Sequence, residues 1–120
     1  MTVAKRQSKR LRTQIQKKFY QWERKNVMID QYDLFSLLDD YLYSSEGFYK
    51  ACNAVLVKSP KHSAILLPAL TEKLTELTDL QSRFATLPDS TMKAEYMRRL
   101  TEAQEENNDI IEKVKNHLNQ

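Results

Sequence analysis

Apolar side chains recur along this chain at intervals of three and four, the spacing of one face of an α-helix, and nowhere alternate as in a strand. Leu11, Ile15, Phe19 and Trp22 form the first such stripe. At 100° per residue, Arg6, Arg10, Lys17 and Arg24 fall on the opposite side. The spacing predicts a helix from Lys5 or Ser8 to Lys25, with the first eight residues frayed for want of apolar partners. Lys25 to Ile29 reads as a turn. Asp30 is placed to cap the next helix, with Asp33 at the acidic position of a capping box.

From Gln31 the pattern sets Phe35, Leu38, Tyr41 and Leu42 on an apolar face, with Leu34, Leu37 and Phe48 at its margin. Asp33, Ser36, Asp40 and Tyr43 lie toward the other side. The stretch Tyr43 to Gly47 is weak for a helix, since an interior glycine costs about 1 kcal/mol relative to alanine. It reads as a bend within one long helix or a break between two, and the reading adopted is a helix that continues to about Val57, straight or kinked.

Ser59-Pro60 fits the start of a helix, where a residue without an N–H loses nothing. Pro68 then interrupts, so 60–67 is either a separate helical turn or a kinked extension of the next helix. A third helix is predicted from Pro68 to Ala85 on Leu70, Leu74, Leu77, Leu80 and Phe84. Leu87-Pro88-Asp89-Ser90 is the clearest turn signal. Beyond it, Tyr96, Leu100, Ala103, Asn107, Ile110 and Val114 keep a heptad seam through a helix ending near Leu118. Two long helices around a tight proline turn should fold back as an antiparallel hairpin. The expected fold class is therefore all-α: a small four-helix bundle, or five-helix if 60–67 counts. It has a C-terminal antiparallel helical hairpin and a basic N-terminal helix. Residues 1–25 form an arm and 26–120 the bundle, within one domain overall.

Composition supports this pattern. Among 120 residues there are one glycine and three prolines, too few for the turns of a sheet protein. The formal net charge of +3 conceals an asymmetry: residues 1–25 carry nine basic side chains against Glu23, and the remainder is net acidic by five. Cys52 is the only cysteine, so no intrachain disulfide forms and a reducing compartment is the simplest setting. No apolar run approaches a membrane span, and the basic N-terminal stretch lacks the apolar segment of a signal peptide. The cytoplasm is the expected location. The same stretch also admits an organelle-targeting reading.

Catalytic and metal chemistry find little footing. His62 and His117 are far apart in sequence, each near a predicted helix end, and read as solvated surface residues. Cys52 falls on an apolar side with Phe48, Val55 and Leu56, which marks an inert core thiol. Neither the pairs of cysteines or histidines that bind zinc nor a calcium loop is present. Glu102, Glu105, Glu106, Asp109 and Glu112 spread over the solvent side of the last helix. Gly47 is the sole glycine, so no phosphate-cradling loop exists. No catalytic residue, cofactor, metal ion or small-molecule substrate is expected.

Two candidate binding surfaces remain. One is the basic arm, where Arg6, Lys9, Arg10, Arg12, Lys17 and Arg24 could neutralise the phosphates of a nucleic acid without reading bases. The same charges would suit an acidic protein or the chain's own acidic last helix, and only weakly a membrane surface. The other is aromatic. Nine of the aromatic residues lie within 19–49, more than one core can bury, and Tyr20, Tyr32 and Tyr43 are expected outside it. With Tyr49 they are the candidate contacts for a protein partner, either a second copy or a different chain. Rim packing of the tyrosines is the alternative. The expected function is that of a non-enzymatic interaction or assembly protein, with nucleic-acid binding through residues 5–25 as the alternative.

Overall fold

The structure is a computed structural model that describes residues 3–25 and 31–119, and the side chains of 8–24 and 31–119. The described residues are all-α, in the order α1 (Val3–Lys25), α2 (Gln31–Lys58), a 3-10 helix (Pro60–Leu66), α3 (Leu67–Phe84) and α4 (Thr91–Leu118). The helix α1 begins at Val3, earlier than its apolar stripe alone implies. Few β-branched residues and no glycine or proline occur in this stretch, so local propensity extends the helix beyond its packed face. The expected turn at Lys25 to Ile29 and the Asp30 cap fall largely outside the described residues.

The chain forms two compact units, Met1–Ser45 and Glu46–Gln120, with the division inside α2. In the first, α1 runs antiparallel to the N-terminal part of α2. The Ser8 and Ser44 hydroxyls are 2.7 Å apart at one end, and Lys18 Nζ lies 3.9 Å from Asp33 Oδ2 at the other. Leu11, Ile15 and Phe19 are buried, as are Leu34, Phe35, Leu38, Tyr41 and Leu42, each of the larger side chains contributing about 1.5–3 kcal/mol. Trp22 is half-buried, its ring 6.2 Å from that of Phe19. Buried Ser45 satisfies its hydroxyl locally by donating to the Tyr41 carbonyl.

The helix α2 runs through Gly47 and ends at Lys58. In the second unit, its last part supplies Tyr49, Cys52 and Leu56 to a core shared with Leu70, Ile110 and Val114. Phe48, Leu66, Leu67, Ala103 and Ile111 pack at the edge of that core. The segment after Ser59-Pro60 is a 3-10 helix rather than an α-helical turn, and Ser59 makes no side-chain cap. It leads straight into α3, where Pro68 occupies the first turn. Pro68 therefore starts a helix instead of interrupting one: the proline loses no hydrogen bond there, and the tighter 3-10 turn before it absorbs the change of course.

The hairpin of α3 and α4 forms as patterned. Gln81 Nε2 donates to Thr101 Oγ1 at 3.1 Å and its Oε1 accepts from Gln104 Nε2 at 3.1 Å, while Asn107 lies opposite Leu70. Ser90 caps α4 by accepting from the Lys93 amide at 3.0 Å. Lys93 Nζ turns back to donate to the carbonyls of Ala85 and Leu87 and to Asp89 Oδ1 at 2.8–3.0 Å. One lysine thus caps the end of α3 while its backbone opens α4.

Candidate functional site

The tyrosines divide by environment. Tyr20, Tyr32 and Tyr43 are exposed, the latter two at 74% and 76%. Tyr32 and Tyr43 are eleven residues apart on α2, which returns them to the same line of the helix about 16 Å apart. The line also carries exposed Ser36, and Asp40 flanks it and is exposed too. The opposite side of this part of α2 buries Leu34, Leu38, Tyr41 and Ser45. In the second unit, Gly47, Lys50, Ala54 and Val57 are exposed on the last part of α2, Val57 at 83%.

Tyr49 corrects the expectation that it faces a partner. It is only 1% exposed, and its hydroxyl donates to Asn107 Oδ1 at 2.8 Å and approaches the Ala103 carbonyl at 3.2 Å. Asn107 Nδ2 in turn donates to the Leu70 carbonyl at 2.9 Å. Tyr49 lies on the inward side of α2, where this buried amide needs a donor, and burial raises its hydroxyl's pKa well above the usual tyrosine value, with a smaller contribution from Glu106. Asn107 is fully buried, so the polar position in the heptad seam bonds within the chain and faces no partner. The sequence signal for this pairing is the seam's one polar residue, which demands a hydrogen-bond partner wherever it is buried.

The basic arm is sorted in the same way. Lys9, Arg10, Lys17 and Arg24 are exposed on α1. Arg10, Gln14, Lys17, Gln21 and Arg24 follow one line, spanning about 21 Å, on the side opposite Leu11, Ile15 and Phe19. Arg12 is half-buried and stands apart from that line, because position 12 adjoins the buried stripe. The side chain of Arg6 lies outside the described residues.

Cys52 is buried, and that burial pushes its thiol up to about 11, away from the reactive thiolate. His62 and His117 are exposed. Glu102, Glu105, Glu106, Asp109 and Glu112 are exposed as well, and among the described residues no group of acids, histidines and cysteines is arranged to hold a metal ion. No helix of the described residues is long and apolar enough to cross a membrane. A feature that patterning does not single out is Lys73 with Glu76 on α3. Both are buried, 3.5 Å apart, with the ammonium 5.8 Å from the centre of the Phe48 ring. Such a pair holds geometry more than it adds stability.

Comparison with protein-family models, with curated proteins and with solved structures returns no match to this chain.

Proposed function

We propose that this chain is a non-enzymatic interaction protein that acts by binding a protein partner through the outward face of α2. The observation that carries this reading is the exposure of Tyr32 and Tyr43 on one line of that helix. A tyrosine ring left in water forfeits most of its apolar transfer energy, whereas at an interface it supplies large contact area for two rotatable bonds. In the second unit, Tyr49 and Asn107 bond each other and Cys52 is buried, so these three are used in packing.

The test is photo-crosslinking in cells, with a photoreactive phenylalanine at Tyr43 and, as control, at exposed Thr75 on α3. A discrete protein adduct from position 43 and none from 75 is expected. Equal, diffuse labelling from both would refute a specific face.

A second reading rests on a separate observation, the line Arg10, Gln14, Lys17, Gln21 and Arg24 on α1. This line would track nucleic-acid phosphates, with the glutamines as neutral donors. Titration with random-sequence duplex and single strands at about 50 and about 200 mM salt tests it, since three or four phosphate contacts give a log–log slope of roughly −3 to −4. No binding at the lower salt removes this reading.

A further inference from the structure

One end of the second unit gathers side chains that its own packing leaves open. Tyr49 bonds Asn107, and equal steps onward along α2 and α4 reach Leu56 and Val114, which share one buried core. The last turns of α2 and α4 therefore arrive at the same end of the unit. The 3-10 helix that follows α2 packs against α4 there. All the large aliphatic side chains exposed among the described residues lie on these segments: Val57 at 83%, Ile65 at 75% and Leu118 at 48%. Each is next to, or one turn beyond, a side chain that does reach the core, namely Leu56, Leu66 and Val114.

Charge at this end has one sign. No acid occurs from Gly47 to Thr71 or after Glu112, whereas Lys58, Lys61, Lys113 and Lys115 all stand there, exposed. Glu112 itself projects from the side of α4 opposite buried Val114. Lys73 and Lys93 of the same unit are paired, with Glu76 and Asp89. Among the described residues, none of the four end lysines takes part in an ion pair. Lys58 and Lys115 lie in the last turns of their helices, where cations complement the carbonyl ends. That accounts for two of the four charges and for none of the aliphatic groups.

We propose that this end of the second unit docks an acidic segment of a partner protein, whose apolar side chains cover Val57, Ile65 and Leu118 and whose carboxylates meet the lysines. Apolar contacts with polar and charged groups around them are the arrangement of a protein interface. A nucleic acid would use the lysines and leave the aliphatic groups in water. The two kinds of side chain interleave here, Val57 beside Lys58 and Leu118 one turn from Lys115, so one ligand must satisfy both. The surface lies wholly within the second unit and does not depend on the Tyr32 and Tyr43 face of the first.

The test titrates the full chain with short fluorescent peptides. One is built of glutamate and leucine, a second has serine for leucine, and a third has glutamine for glutamate. The glutamate–leucine peptide should bind saturably and at least about tenfold more tightly than either of the others. In backbone-amide NMR it should shift residues 57–65 and 113–118. Val57→Ser with Ile65→Ser, and Lys61→Glu with Lys113→Glu, should each weaken binding about tenfold. Thermal unfolding should be unchanged in both, because all four side chains are exposed and neither of these lysines serves a helix end. Tyr43→Ser should leave the affinity as it is. Lack of saturable binding, amide shifts confined to other residues, or equal affinity for the serine and leucine peptides would each overturn the proposal. Binding of single-stranded DNA that is lost with Lys61→Glu and Lys113→Glu but indifferent to Val57→Ser and Ile65→Ser, with no peptide bound, would give the surface to nucleic acid instead.

Discussion

Replacing Tyr49 with phenylalanine removes a single oxygen from the core of the second unit, and its cost can be worked from the geometry. The hydroxyl serves Asn107 Oδ1 at 2.8 Å and lies 3.2 Å from the Ala103 carbonyl. That carbonyl belongs to the middle of α4, whose helical ladder satisfies it without the tyrosine. Asn107 Oδ1 has no such reserve. In the Tyr49→Phe protein it stays fully buried and loses this donor, which costs about 1–3 kcal/mol. Asn107→Leu leaves the tyrosine hydroxyl its longer contact to Ala103 and the Leu70 carbonyl its helical donor, so it should cost less than Tyr49→Phe. The double variant leaves neither partner stranded, so it should cost less than the two single changes together by about 1 kcal/mol or more. The assay is urea unfolding followed by far-ultraviolet circular dichroism on all four proteins, with a common slope as the condition for comparison. Strict additivity would refute the account of Asn107 as a seam residue satisfied inside the chain.

Other consequences are more local. Ser90→Ala should lower stability by about 1 kcal/mol through loss of the α4 cap, measured by the same unfolding assay. Lys93→Met should cost about 0.5–1.5 kcal/mol, since the carbonyls of Ala85 and Leu87 lose their shared ammonium. Gly47→Ala should raise stability by about 0.5–1 kcal/mol in dilute solution, where helix propensity decides the sign. Cys52, its thiol pushed up to about 11 from 9.0, should react with iodoacetamide at mildly alkaline pH about a hundredfold more slowly than an open thiol, a ratio lost in denaturant. The same shift sets a direction for stability: this acid ionises more readily in the unfolded chain, so its contribution is intact below about pH 9 and is lost as pH rises through about 11.

The order of helices and the hairpin are legible in the sequence because apolar spacing and proline punctuation agree at Leu87 to Ser90. The stripe of Leu11, Ile15 and Phe19 and the seam of Leu100, Ile110 and Val114 are both buried faces. Tyr20, Tyr32 and Tyr43 are legible as outward residues because an apolar face has finite width. Tyr49 escapes the same logic: its residue type suggests an interface, but its position faces inward, and its partner is 58 positions away on α4. Pairings between distant helices leave no periodic trace. The 3-10 segment is hidden because Pro60 and Pro68 each fit the start of a helix, and spacing alone does not rank them. Lys93 as a cap for α3, and the burial of Lys73 with Glu76, depend on neighbours that local pattern does not specify.

The central claim is that the chain works in an assembly held through the outward face of α2, and the measurement that tests it most directly is the size of the native protein in a fresh lysate of its source cells. Gel filtration of the unmodified chain should place it well above its own 14.2 kDa. The Tyr32→Ser, Tyr43→Ser variant, matched in helicity, should elute as the free chain. Elution of both proteins at the mass of the free chain, or of both in the same assembly, would contradict the account.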